Sequence, residues 1–139
     1  MAASAQETEV LLVYDRQCPA CDFYCRQADV DPAYGTLRRI DAREPSAVLD
    51  RITAAGLDID QGMVLGAHGK LYYAADAINE LARRAPARGV FHRLSRTLFG
   101  SRSRARWLYP VLRTCRNLLL KLLGKTKINN LRRPDNDRF

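Results

Sequence analysis

Between Leu11 and Arg26 an apolar run, Leu11-Leu12-Val13-Tyr14, passes through Asp15-Arg16-Gln17 into Cys18-Pro19-Ala20-Cys21. This stretch restricts the fold more than any other, because its order predicts a buried strand ending at two thiols on the first turn of a helix. Pro19 suits that placement, since the first helical position has no intrahelical N–H bond for proline to lose. A helix N-terminus presents unpaired N–H groups and a partial positive charge, so a sulfur there is favoured as thiolate. An ordinary cysteine, with a pKa near about 8.5, is only slightly ionised at neutral pH, and lowering it by about two units makes the thiolate the majority species.

The chain downstream alternates elements. Glu9 to Asp15 predicts a strand and Pro19 to about Asp29 a helix. Asp31-Pro32 and Gly35 mark a turn before a second strand, Thr36 to Asp41. Pro45 opens a helix to about Ala55, with Val48, Leu49 and Ile52 on its inner side. Gly62 to Gly66 and Lys70 to Tyr73 predict a hairpin around Ala67-His68-Gly69, and Asp76 leads into a helix over Ala77 to Arg84. The order β-α-β-α-β-β-α, with a parallel first pair and an antiparallel hairpin, is that of a thioredoxin-like α/β sandwich. Cys18 then lies at the carboxyl end of the first strand, where ligands gather in such sheets.

After Pro86 and Gly89 the chain changes character. Phe91, Leu94, Leu98 and Phe99 form a short helical apolar face, Gly100 to Arg104 reads as a basic loop, and Trp107 to Leu123 is a strongly amphipathic helix. Its apolar side carries Leu108, Val111, Leu112, Cys115, Leu119, Leu122 and Leu123, which we expect to pack on the body; Pro110 is tolerable only in its first turn. The expected organisation is a flexible N-terminus over 1–8, a thioredoxin-like core over 9–85, a helical basic extension packed on it over 86–124, and a loose tail over 125–139.

Charge divides along the same line. The net charge of +8 splits into 7 Lys+Arg against 13 Asp+Glu up to Ala82, and 16 against 2 from Arg83 onward. A basic second half suits an anionic membrane surface or an acidic protein; nucleic acid has charge in its favour but no motif. No apolar run approaches the roughly 18 to 20 residues of a membrane span, and Met1 to Glu9 is small, polar and acidic. We therefore expect a cytoplasmic protein, with the basic helices able to hold it at a membrane periphery. In a reducing compartment the four cysteines (Cys18, Cys21, Cys25, Cys115) argue for catalysis or metal binding over a structural disulfide framework.

Asp15-Arg16-Gln17-Cys18-Pro19-Ala20-Cys21 after an apolar strand resembles the D-x-x-C-P-x-C signature of the DCC family of thiol-disulfide oxidoreductases. Gly69-Lys70-Leu71-Tyr72-Tyr73 with Asp76-Ala77-Ile78, and Tyr109-Pro110-Val111-Leu112-Arg113 with Arg116, resemble the family's hairpin and closing helix. The resemblance covers most of Val10 to Gly124. It implies a thioredoxin-like domain with dithiol-disulfide activity on protein or low-molecular-weight disulfides, needing no cofactor beyond a redox-active Cys18–Cys21 pair. Thioredoxins receive the substrate backbone on a cis-proline before the third strand. Here that region reads Asp60-Gln61-Gly62-Met63, without proline.

For catalysis we expect Cys18 to attack, as the more exposed sulfur preceding the helix, and Cys21 to resolve the mixed disulfide. Cys25 falls on the same helical face, as an alternative resolving thiol or, preferably, a buried small hydrophobe; Cys115 should only pack. Asp15 either relays a proton to the resolving thiol or ties the strand-to-helix loop, although its charge raises a neighbouring thiol pKa. Two other classes stay open. Cys18, Cys21 and Cys25 offer three sulfurs to a metal, although zinc or iron–sulfur sites normally want four ligands. The basic amphipathic helix alone would suit a non-catalytic interaction or membrane-surface module.

Overall fold

β1 (Glu9–Tyr14) is the strand around which the molecule is built. It pairs parallel with β2 (Thr36–Asp41), from Glu9 opposite Thr36 to Tyr14 opposite Asp41. On its other side it runs antiparallel to β3 (Val64–Ala67), which pairs antiparallel with β4 (Lys70–Tyr73). The sheet order is β2-β1-β3-β4. The helices are α1 (Pro19–Gln27), α2 (Ala47–Ala54), α3 (Ala75–Arg83), α4 (Val90–Phe99) and α5 (Arg102–Leu122). This mixed α/β arrangement is consistent with a thioredoxin-like fold. The computed structural model describes residues 9–86, 88–132 and 134–135; the expected flexible segment 1–8 and the end of the expected tail, 136–139, lie outside them.

Alternation along β1 assigns its two faces, as successive side chains of a strand point oppositely. Val10, Leu12 and Tyr14 pack with Cys25 of α1 and with Ala77 and Leu81 of α3. Val13 points the other way, onto Ile52 of α2, Ala42 and Ile59. The parallel β1–β2 pair is joined through α1, and the turn between β3 and β4 is made by His68 (φ 51°) and Gly69 (φ 74°). Two central residues with positive φ match the twist of a two-residue hairpin.

Several boundaries differ from the sequence reading. α2 begins after Ser46, whose hydroxyl accepts from Leu49 N–H at 3.1 Å, so a serine cap rather than Pro45 opens it. α3 starts at Ala75 without a side-chain cap, Asp76 lying inside its first turn. α5 absorbs the expected basic loop and starts at Arg102, which puts Pro110 inside the helix rather than in its first turn. Packing outweighs the lost backbone bond: Ala105, Leu108 and Tyr109 around it join Ala74, Ile78, Ala82 and Phe99 in a second core cluster.

The expected apolar side of α5 is largely uncovered. Val111, Leu112, Leu122 and Leu123 are exposed, as is Cys115, which was expected only to pack; Ala105, Tyr109 and Leu120 are the buried positions. Length explains it. α3, about 13 Å long over nine residues, covers less than half of α5, about 31 Å over twenty-one. The segment after α5, expected as a loose tail, is instead tied down over Thr126 to Asn130 by hydrogen bonds to Arg43, Asp60, Ile59 and Leu57. No described helix is long and apolar enough to cross a membrane.

Candidate active site

β1 delivers Asp15 and then Cys18 to the carboxyl edge of the sheet. Cys18 N–H donates to the Asp15 carbonyl at 3.2 Å, closing a tight turn before the helix. Cys18 is the N-cap of α1, with extended backbone, and its Sγ accepts from Cys21 N–H at 3.3 Å. That is the bond a serine or aspartate oxygen makes at other N-caps, here made by sulfur. The two cysteines lie close together, near enough for the Cys21 thiol to stabilise a Cys18 thiolate.

This hydrogen bond from Cys21, with the Cys21 N–H and the Arg116 guanidinium, lowers the Cys18 pKa to about 6, against the opposing effects of burial and of the Asp15 carboxylate. Cys21 moves oppositely: donating to Cys18 and burial raise its pKa, so the pair holds one shared proton on Cys21. Cys25 is buried, and burial pushes it up to about 12. The structure therefore brings Cys18 and Cys21 together and leaves Cys25 as packing on α1.

Exposure reverses the expectation. Cys18 has 0% of its surface exposed, whereas Cys21 is partly exposed and lines a cavity of about 390 Å³ between α1, α5 and the loop before β3. The cysteine with the lowered pKa and the cysteine that lines the cavity are different residues. An N-cap side chain folds back over its own first turn, which seals Cys18, while the first turn of α1 presents Cys21 to α5.

Asp15 is buried and held from three sides. Arg43 forks onto it at 2.8 and 2.9 Å, Arg116 lies 3.7 Å away, and Gln17 N–H donates to it at 2.9 Å. The last bond ties the strand-to-helix loop, one of the two roles expected of Asp15. Arg43 comes from the loop after β2 and also donates to Thr126 O at 2.6 Å, while Arg116 also donates to Asp60 O. Asp60 in turn accepts from Ile128 and Asn129 N–H at 2.8 and 2.6 Å. Five chain segments thus meet beside the dithiol through Asp15 and Asp60. Arg43 and Asp60 had no assigned role in the sequence, because their partners lie 28 and 68 or more residues away.

Among the described residues, no group of three or more His, Cys, Asp or Glu is placed to hold a metal ion. Among the described residues there are no cis peptide bonds, and Met63 lies in the loop that lines the cavity beside the dithiol.

A family model described as DCC1-like thiol-disulfide oxidoreductase matches residues 12–122 of the chain. No curated protein and no solved structure gave a significant match.

Proposed function

Since the chain belongs to the DCC1-like thiol-disulfide oxidoreductase family, we propose that Cys18 and Cys21 cycle between dithiol and disulfide in exchange with external thiols. One observation carries the reading: Cys18 caps α1 with its sulfur, which accepts from Cys21 N–H at 3.3 Å and brings the two cysteines together. Thiolate stability serves exchange in two ways. In the reduced protein it supplies a nucleophile at neutral pH, and in the oxidised protein it makes Cys18 the better leaving group. Because Cys21 faces the cavity, an incoming thiolate attacks Cys21 Sγ and expels Cys18. Direct attack by Cys18 on a substrate, the route expected from the sequence, would require its cover to open. Asp15 serves as a positioning residue, fixing Arg116 beside the sulfurs.

The test is equilibration in glutathione buffers of varied ratio, acid quenching, alkylation and mass mapping. A Cys18–Cys21 linkage should appear as the buffer becomes oxidising, and Cys18→Ser should retain a mixed disulfide on Cys21. Absence of that linkage at every ratio overturns the proposal. Trapping on Cys18 in Cys21→Ser, with none on Cys21 in Cys18→Ser, would restore the other order of attack.

A second reading concerns a partner and rests on the uncovered face of the helical extension. Trp107, Val111, Leu118 and Leu122 follow helical spacing along α5 and are all exposed, as are Val90, Leu94 and Leu98 along α4. Arg104, Arg106 and Lys121 lie among and beside them on α5. We propose that this face rests on an anionic lipid surface, with apolar side chains in the interface and cations against headgroups. Full-length protein should co-sediment with phosphatidylglycerol vesicles at low salt and less with phosphatidylcholine vesicles. Leu118→Glu with Leu122→Glu should cut partitioning by more than about tenfold, as expected for losing two leucine insertions. Absence of sedimentation with anionic vesicles rejects this reading.

A further inference from the structure

The cavity beside the dithiol bears on which thiols the protein exchanges with. Its wall is overwhelmingly apolar, with Met63, Ile78, Phe99, Leu112 and Leu119 contributing from four separate segments. At about 390 Å³ it falls within the range of small-molecule sites.

The loop opposite the dithiol is where an extended polypeptide would need free backbone groups, because strand-like docking depends on main-chain hydrogen bonds. At Asp60 and Met63 both of those groups are occupied. Met63 N–H donates to Tyr109 Oη at 2.9 Å, and Met63 O accepts from Ala74 N–H at 2.9 Å. Gln61 N–H donates to Asp58 O at 3.1 Å, and Asp60 O accepts from Arg116. Gly62 packs so closely on Ala74 that an added Cβ would lie 2.7 Å from the alanine methyl. The loop is built as a cavity wall.

The wall also carries one unanswered polar group. Arg113 lines the cavity with its guanidinium stacked 5.7 Å from the Tyr109 ring, and its buried Nε has no hydrogen-bond acceptor among the described residues. Nε itself is sealed, so what Arg113 offers a ligand in the cavity is the positive charge of its guanidinium, which favours an acidic group there.

Resting on the exchange reading above, we infer that the cavity binds a small apolar thiol or disulfide carrying one acidic group. Its apolar body lies along the wall, its acidic group meets Arg113, and its sulfur reaches Cys21. With a dithiol ligand and the oxidised protein, a ligand thiolate attacks Cys21 Sγ, the Cys18–Cys21 bond breaks, and Cys18 leaves as thiolate. The second ligand thiolate then attacks the ligand sulfur of the mixed disulfide, and Cys21 leaves and takes up a proton. Two electrons pass to the protein, the ligand closes its own disulfide, and one proton goes to solvent.

The test is a single-turnover reduction of the oxidised full chain by dihydrolipoate, by its neutral amide, by reduced glutathione and by a reduced unfolded polypeptide. Dihydrolipoate should react about tenfold or more faster than glutathione or the polypeptide, the gain from burying two methylene groups. It should also outpace its amide. Leu119→Glu, or Leu112→Glu if the first variant does not fold, should abolish the preference for the apolar dithiol. Arg113→Gln should bring dihydrolipoate and its amide to equal rates. Equal or faster reaction with glutathione or the polypeptide overturns the inference while leaving the exchange reading intact; no reaction with any thiol, with Cys18 and Cys21 never linked, refutes the exchange reading itself.

Discussion

If Cys18 is the thiolate of the pair, the reduction potential must bend with pH at the point where that thiol ionises. Below a pKa of about 6, reduction consumes two protons with two electrons, and the potential falls by about 59 mV per pH unit. Above it only Cys21 takes up a proton, and the slope halves to about 30 mV. At pH 7 the ionised Cys18 stabilises the reduced protein by about 1.4 kcal/mol relative to an ordinary thiol, making the couple about 30 mV more oxidising. At pH 5 that contribution is under about 2 mV. Arg116→Met removes the cation that lowers both sulfurs and leaves Asp15, which opposes ionisation of Cys18. A rise of about one pKa unit moves the bend to near pH 7 and makes the potential at pH 7 about 20 mV more reducing. The assay is redox equilibration with glutathione at half-unit steps from pH 5 to 8, with reduced protein counted by alkylation and mass. A straight line across that range would refute the assignment of the thiolate. An equal shift at pH 5 and pH 7 in the variant would show that Arg116 acts through structure and not through its charge on the sulfurs.

Other outcomes follow from the network behind the dithiol. Asp15→Ala, which strands Arg43 without its buried partner, should lower stability by about 3 kcal/mol in urea unfolding, and a cycle with Arg43→Met should recover part of that loss. Asp60→Ala should abolish hydrogen-exchange protection of the Ile128 and Asn129 amides while leaving the β1 and β3 amides protected. Burial raises the Asp60 pKa, so its titration favours the fold at low pH and that contribution is lost as pH rises through the folded value; Asp60→Asn should flatten the acid side of the stability profile. Cys25→Val should leave formation of the Cys18–Cys21 disulfide unchanged in mass mapping, because Cys25 packs against the sheet.

Sheet and dithiol were legible because their determinants are local. Alternating apolar runs, the Cys-Pro step and the His68-Gly69 turn are each decided within a few residues, and they fixed element order, strand pairing and the meeting of Cys18 with Cys21. The parts that differed depend on neighbours far along the chain. A helical stripe of leucines signals an apolar face, but it is silent on whether α3 is long enough to cover it. Lys125 to Asn130 is polar and weakly patterned, and it is held by the Asp60 carboxylate, Arg43 and backbone groups from loops at least 68 residues earlier. The accessibility of the two sulfurs is the most instructive case. Placing Cys18 at the N-cap implied a lowered pKa, yet the same cap geometry turns the sulfur back onto the helix and away from solvent. Acidity and access therefore compete at a single N-cap cysteine, and splitting them between Cys18 and Cys21 lets the pair hold a stabilised leaving group behind an approachable sulfur. Under the exchange proposed above, the neighbouring cavity wall, more than the C-x-x-C sequence, would govern which thiols react.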